Sequence, residues 1–287
     1  MTAAPRTLAR DPGRLAALVI LVLAGAAIVV WLVARGDLVG ADARAYWGGV
    51  RLWLGGGDPL DPPPPYLPYV YFPWSLPVFL PWAALPWDTA WFTYRAVNVI
   101  LFVWSAYWAW RRHPLAAALL VALLAPALTA TLDTGNITFL CAMAIWAAHF
   151  SGPRSGGFLW ALAAALKWFP ALLIFVLPPR ARLWGLGWAA LFGLLTLAVW
   201  PAALRQLEIV MGFPRPLRID YVLLAWAAVP WLWAHPRWFE VRDWPSRIRG
   251  AWQRARAGLS RWWSAPRRLA TARSFLARTA REYLGIS

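Results

Sequence analysis

Apolar runs separated by short polar turns recur along the first 235 positions, several of them close to the twenty residues that span a bilayer as a helix. Leu15 to Ala34 is the first, entered from a segment carrying Arg6, Arg10 and Arg14. No small-residue cleavage pattern precedes its polar flank, so it reads as a retained span and not a removed signal. A polar stretch rich in Gly and Pro follows to about Pro68, with Asp37, Asp42, Asp58 and Asp61. Tyr71 to Trp87 is apolar but broken by Pro73, Pro77, Pro81 and Pro86, each of which removes a backbone donor. That predicts a surface or re-entrant segment and not a full crossing. Trp91 to Trp110, Leu115 to Thr131 and Ile137 to Phe150 are the next spans. Phe158 to Trp168 and Pro170 to Leu177 are each too short to cross about 30 Å at about 1.5 Å per residue. They form either one long span or a hairpin meeting at Lys167 and Pro170, and the hairpin keeps Arg154, Arg180 and Arg182 on one side. Leu183 to Leu204 and Ile219 to Trp233 complete the set.

Composition agrees with this pattern, since 61% of the residues are hydrophobic and only 14% charged. A soluble domain carries about a quarter charged residues, so the expected class is an all-α integral membrane protein, a multi-spanning helical bundle of about seven to eight membrane helices. The excess of basic residues, a formal +16, orients it. With both termini and the Arg111, Arg112 turn in the cytoplasm, the inner segments hold 20 of the 28 basic residues and 4 of the 12 acids. The expected division is a membrane domain over 1–235 and a cytoplasmic tail over 236–287. In the tail, Ile248, Trp252, Ala255, Leu259 and Trp262 form one helical stripe, and Leu269, Ala272, Leu276, Thr279 and Tyr283 another. Pro266 separates the two. Arg and Trp around such stripes suit anionic membrane lipids, whereas no nucleic-acid recognition motif accompanies the charge.

Ionisable groups near a bilayer core are costly, about 2.5 to 3.5 kcal/mol at a helix centre, so those retained there are candidates for chemistry. The threading brings Asp42, Arg44, Asp133, Asn136, Lys167, Arg205 and Arg218 to the outer end. Asp42 also shares a helical face with Tyr46, Gly49 and Trp53. Each has a plain structural reading beside the functional one: Asp42 as a helix N-cap, Lys167 as a snorkelling side chain at a span end, Asp133 and Asn136 as a polar turn. Lys167 is the single lysine among 28 basic residues. The three histidines fall near inner span ends and Cys141 is the sole cysteine, so no metal site or cofactor motif is expected.

The order of motifs carries a resemblance. An outer-loop Asp42 followed by Tyr46, then Gly55-Gly56-Gly57-Asp58-Pro59, a Pro-broken apolar segment, the Gly135-Asn136 turn and Lys167-x-x-Pro170 resembles glycosyltransferase family 87 over about Leu15 to Arg182. These are membrane mannosyltransferases of the GT-C fold that use polyprenyl-phosphate sugars. The resemblance implies Asp42 as general base on the acceptor hydroxyl, Gly135 and Asn136 where the family usually has Gly-Gln, and Lys167 near the donor phosphate. It implies a polyprenyl-phosphate sugar donor and a lipid or glycan acceptor. A phosphomonoester leaving group asks only for one carboxylate to take the acceptor proton and cations to steady the departing phosphate. Two other classes compete. A transporter or flippase would also line a cavity with charge, but it predicts internal repeats and none is visible between the halves. A non-catalytic assembly protein would keep the bundle without acceptor binding.

Overall fold

The computed structural model describes residues 12–35, 40–64, 66–212 and 219–235, together with Gln253 and Ala257. The tail expectation, Asp37 and Arg218 lie outside the described residues. Among the described residues, the amino-terminal unit, Met1–Ala234, holds ten α-helices, three 3₁₀ segments and no strand. They are α1 (Pro12–Arg35), α2 (Ala41–Leu54), a first 3₁₀ segment (Pro73–Phe79), α3 (Leu80–Ala83), α4 (Trp87–Trp110), α5 (Pro114–Thr134) and α6 (Thr138–Ala148). There follow α7 (Pro153–Leu166), a second 3₁₀ segment (Phe169–Val176), α8 (Pro179–Ala198), α9 (Trp200–Gly212), a third 3₁₀ segment (Ile219–Ala228) and α10 (Val229–Ala234). Among the described residues, α1, α5 and α8 are long and apolar enough to cross a membrane.

Local chemistry explains the boundaries. Prolines at the first helical position open α5, α7 and α8, where the missing N–H costs nothing. Gly135 closes α5 with φ 73°, the left-handed conformation glycine adopts freely. The four prolines between Tyr71 and Trp87 leave a 3₁₀ piece and a single α-turn, with α4 starting directly after Pro86. No crossing helix forms there, as the sequence predicts.

Helices α7 and α8 run parallel. Arg154 lies over the Trp184 ring, Gly157 faces Gly185, and Phe158 packs on Trp188, so the partners advance together along both helices. The second 3₁₀ segment must therefore bring the chain back between them. The Trp160 indole donates to the Pro170 carbonyl at 2.9 Å, whereas ten residues of unbroken helix would part them by about 15 Å. Of the two arrangements the sequence leaves open, the hairpin is the one adopted. A Cβ on Gly157 would stand 2.5 Å from the Gly185 nitrogen, so glycine lets the two backbones touch.

Along α4 the third 3₁₀ segment and α10 also run parallel, Trp226 donating to Ser105 and Trp233 to the Ala109 carbonyl. These pairings sort the charges. Arg112 covers Trp108, which packs on Trp146 and Phe150 at the end of α6, and Arg154 meets α8 close to Arg180 and Arg182. Arg111, Arg112, Arg154, Arg180 and Arg182 thus collect at one end of the bundle. Asp133, Asn136 and their partners lie at the other, separated by the 21 residues of α5, or about 31 Å.

Candidate functional site

Asp42 is the second residue of α2, and the cap position belongs to Gly40 in a left-handed conformation with no side-chain cap bond. Asp42 is thus not an N-cap, although a carboxylate in the first turn still suits the helix dipole. The start of α2 presses on the end of α5. A Cβ on Gly135 would fall 2.4 Å from Ala43 Cβ and 2.8 Å from Trp91 Cζ3, so only glycine allows this approach. The approach brings the next residue, Asn136, within reach of Asp42.

A chain of polar contacts starts there. Asn136 Nδ2 donates to Asp42 Oδ2 at 2.8 Å. The amide is held in that sense because its Oδ1 accepts the Thr138 backbone N–H at 3.0 Å. The Thr138 hydroxyl has one proton and two acceptors in range, Asn136 Oδ1 at 2.6 Å and Asp220 Oδ2 at 2.7 Å. Asp220 Oδ2 also faces Lys167 Nζ at 3.4 Å, and that ammonium sits 4.6 Å from the centre of the Tyr221 ring. Asn136, Thr138, Asp220 and Lys167 are all buried, Lys167 being only 6% exposed, while Asp42 is half-buried. A lysine so enclosed is no snorkelling side chain. Its position follows from the hairpin, since Lys167 closes α7 in an extended conformation where the chain turns back.

The other candidates are placed differently. Tyr46 bonds Tyr71 through the two hydroxyls at 3.0 Å and stacks on Phe79. Tyr69 donates to Ser75, whose own proton goes to the Phe72 carbonyl. Burial, with the neighbouring phenol and the Asp42 charge adding to it, holds the Tyr46 hydroxyl well above the usual tyrosine value. For Tyr71, burial and then Asp42 act in the same direction. Both remain neutral, and they brace α2 against the loop. Arg44 covers the Trp87 ring and Arg205 pairs with Asp58 beyond α2. Asp133 is buried in the last turn of α5, where Arg95 donates to the Leu132 carbonyl. Asp220 is the residue that reading the sequence misses. Its only signal is a lone acid at the head of the apolar run Ile219 to Trp233.

Two cavities flank the chain. An apolar one of about 150 Å³ is lined by Ile137, Cys141, Leu162 and Leu166, with Phe79 and Trp82 opposite. An aromatic cleft beside Asp42 is lined by Tyr46, Trp47, Trp82, Trp87 and Trp91.

No curated protein and no solved structure matches the chain. The family model described as glycosyltransferase family 87 matches residues 69–219, which takes in Asn136, Thr138, Lys167 and Arg205 but neither Asp42 nor Asp220. With more than half of its 287 residues inside that match, the chain belongs to glycosyltransferase family 87.

Proposed function

We propose that this membrane glycosyltransferase moves a sugar, mannose, from a polyprenyl-phosphate donor to a hydroxyl of a lipid or glycan acceptor. The observation that carries the reading is one hydrogen-bonded chain with a carboxylate, Asp42, at one end and a buried ammonium, Lys167, at the other. Asp42 takes the proton of the acceptor hydroxyl as its oxygen attacks the anomeric carbon. The bond from that carbon to the phosphate oxygen breaks, and its electron pair leaves with the phosphate. Lys167 stabilises the charge that gathers there. One displacement inverts the sugar, and the positive charge comes from protein side chains without a metal. The apolar cavity beside Leu166 suits isoprenoid units next to the phosphate.

The test is incubation of the purified protein with radiolabelled polyprenyl-phosphate mannose and a membrane lipid extract. Label should pass to an extractable product in the absence of nucleotide sugar. If label moves only from a nucleotide sugar, or from no donor in any reconstituted membrane, the reading is wrong.

The bundle is proposed to be GT-C-like, with seven to eight spans, and to sit in the cell membrane with the arginine-rich end and both termini in the cytoplasm. Collection of five arginines at the end opposite Asp133 and Asn136 supports this orientation. A cysteine placed at Pro63 should react with an impermeant reagent in intact cells, and one at Ser264 should be shielded. Cys141 is buried, so background is low. The reverse pattern would invert the topology. The tail is proposed to rest on anionic lipid and to take no part in transfer. Truncation after Trp244 should then leave activity in detergent, and a folded but wholly inactive truncation would defeat that separation.

A further inference from the structure

We propose that Asp220 is a positioning residue with two arms, one holding the Lys167 ammonium for the donor phosphate and one setting Asn136, and through it Asp42, for the acceptor. The inference rests on the transferase reading above and assigns a role to a residue outside the family match.

Asp220 opens the third 3₁₀ segment, 53 residues beyond Lys167 and 82 beyond Thr138 in sequence, yet a single oxygen meets both. Asp220 is 4% exposed. Two features separate it from a simple structural bolt.

The first is the length of the Lys167 arm. An ammonium buried in apolar surroundings tends to lose its proton unless an opposite charge stands close. Tyr221 gives it a π face, and Asp220 stands against it with an opposite charge. A tight ammonium–carboxylate bond measures about 2.7 to 2.9 Å, however, and this one is 3.4 Å. Asp220 thus faces Lys167 with an opposite charge without drawing it in fully. The donor's phosphodiester, singly charged as it binds and gaining a second charge as the sugar leaves, can therefore compete for the same ammonium.

The second is the Thr138 arm. The carboxylate is the stronger of the two acceptors available to the Thr138 hydroxyl, so it fixes that side chain. Thr138 supplies the backbone N–H that orients the Asn136 amide, and the amide in turn meets Asp42. Asp220 thereby couples the place where negative charge leaves to the place where a proton is taken.

A kinetic split tests the two arms. With the full chain in detergent, Asp220→Asn should raise the donor KM and lower kcat, each by about tenfold or more, the scale seen when supporting hydrogen bonds are lost. Thr138→Val breaks the second arm alone and should lower kcat with donor KM within about twofold. In a Lys167→Met background, Asp220→Asn should not raise donor KM further, because the ammonium it serves is already gone. Asp220→Glu should recover part of both losses.

Unchanged kcat and KM for Asp220→Asn, measured per folded molecule, would overturn the proposal. So would a further rise in donor KM in the double variant, or a Thr138→Val defect expressed in donor KM. Should Asp220→Asn not fold, the double variant and Thr138→Val still decide. A parent protein that transfers from no polyprenyl-phosphate donor defeats the transferase reading itself. An active parent with a normal Asp220→Asn variant defeats only this inference.

Discussion

Asp42→Asn is expected to lower turnover by about 2 to 4 orders of magnitude with donor binding retained. The size follows from removing a base, at about 1.4 kcal/mol of barrier per tenfold. The substitution keeps shape and leaves an oxygen to accept the Asn136 amide, so the packing between α2 and α5 survives. Helix capping is untouched because Gly40 holds that position. What the helix loses is one negative charge in its first turn, a matter of about 0.3 to 1 kcal/mol, far less than the expected kinetic effect. Single-turnover measurements with saturating donor and limiting acceptor give the rate, and equilibrium binding of radiolabelled polyprenyl-phosphate mannose gives the donor affinity. Near-normal turnover, in an assay where the parent is active, would remove Asp42 from the role. A loss confined to Asp37→Asn would move the base five residues upstream.

Lys167→Met should weaken donor binding by about a hundredfold, as truncating one side of a buried charged contact commonly does. It should also cost stability. Lys167 faces Asp220 in a site almost closed to solvent, and Met leaves that carboxylate buried without its ammonium, a loss of about 3 to 5 kcal/mol in comparable pairs. The two effects separate in the Lys167→Met, Asp220→Asn double variant, which removes both charges. Its thermal unfolding should return toward that of the parent while donor affinity stays low. Donor affinity recovering together with stability would mean that the ammonium serves the fold and not the substrate.

Much of this was legible in the chain because the relevant signals are local. Four prolines between Tyr71 and Trp87 forbid a crossing helix, and the apolar pieces on either side of Lys167 are each too short to cross. Gly135 and Asn136 read as a polar turn between apolar runs, and α5 ends there. Threading by charge brought Asp42, Asn136 and Lys167 to one end, but an end of a bundle is not a contact. Arg205, assigned to the same end, pairs with Asp58, and Tyr46 turns to Tyr71 and Phe79 because a buried phenol needs both a partner and a packed ring. Asp220 stayed hidden for the opposite reason. It is a single acid with no motif around it, and its meaning arises only when the third 3₁₀ segment lies against α6.

The packing of α1 bears on how the protein is made. Its one extensive neighbour among the described residues is α5, not the helices that follow it in the chain, and most of its surface is apolar and open. During synthesis α1 leaves the ribosome roughly a hundred residues before the body of α5, which at ~5 to 20 residues per second is about 5 to 20 s. For that interval it must stand in lipid unpaired, and its ring of Leu, Val and Ala is suited to doing so. Closure of α5 onto a waiting α1 would then be a late, bilayer-confined step, one that makes the end of α5, with Gly135 and Asn136, among the last parts of the amino-terminal half to settle.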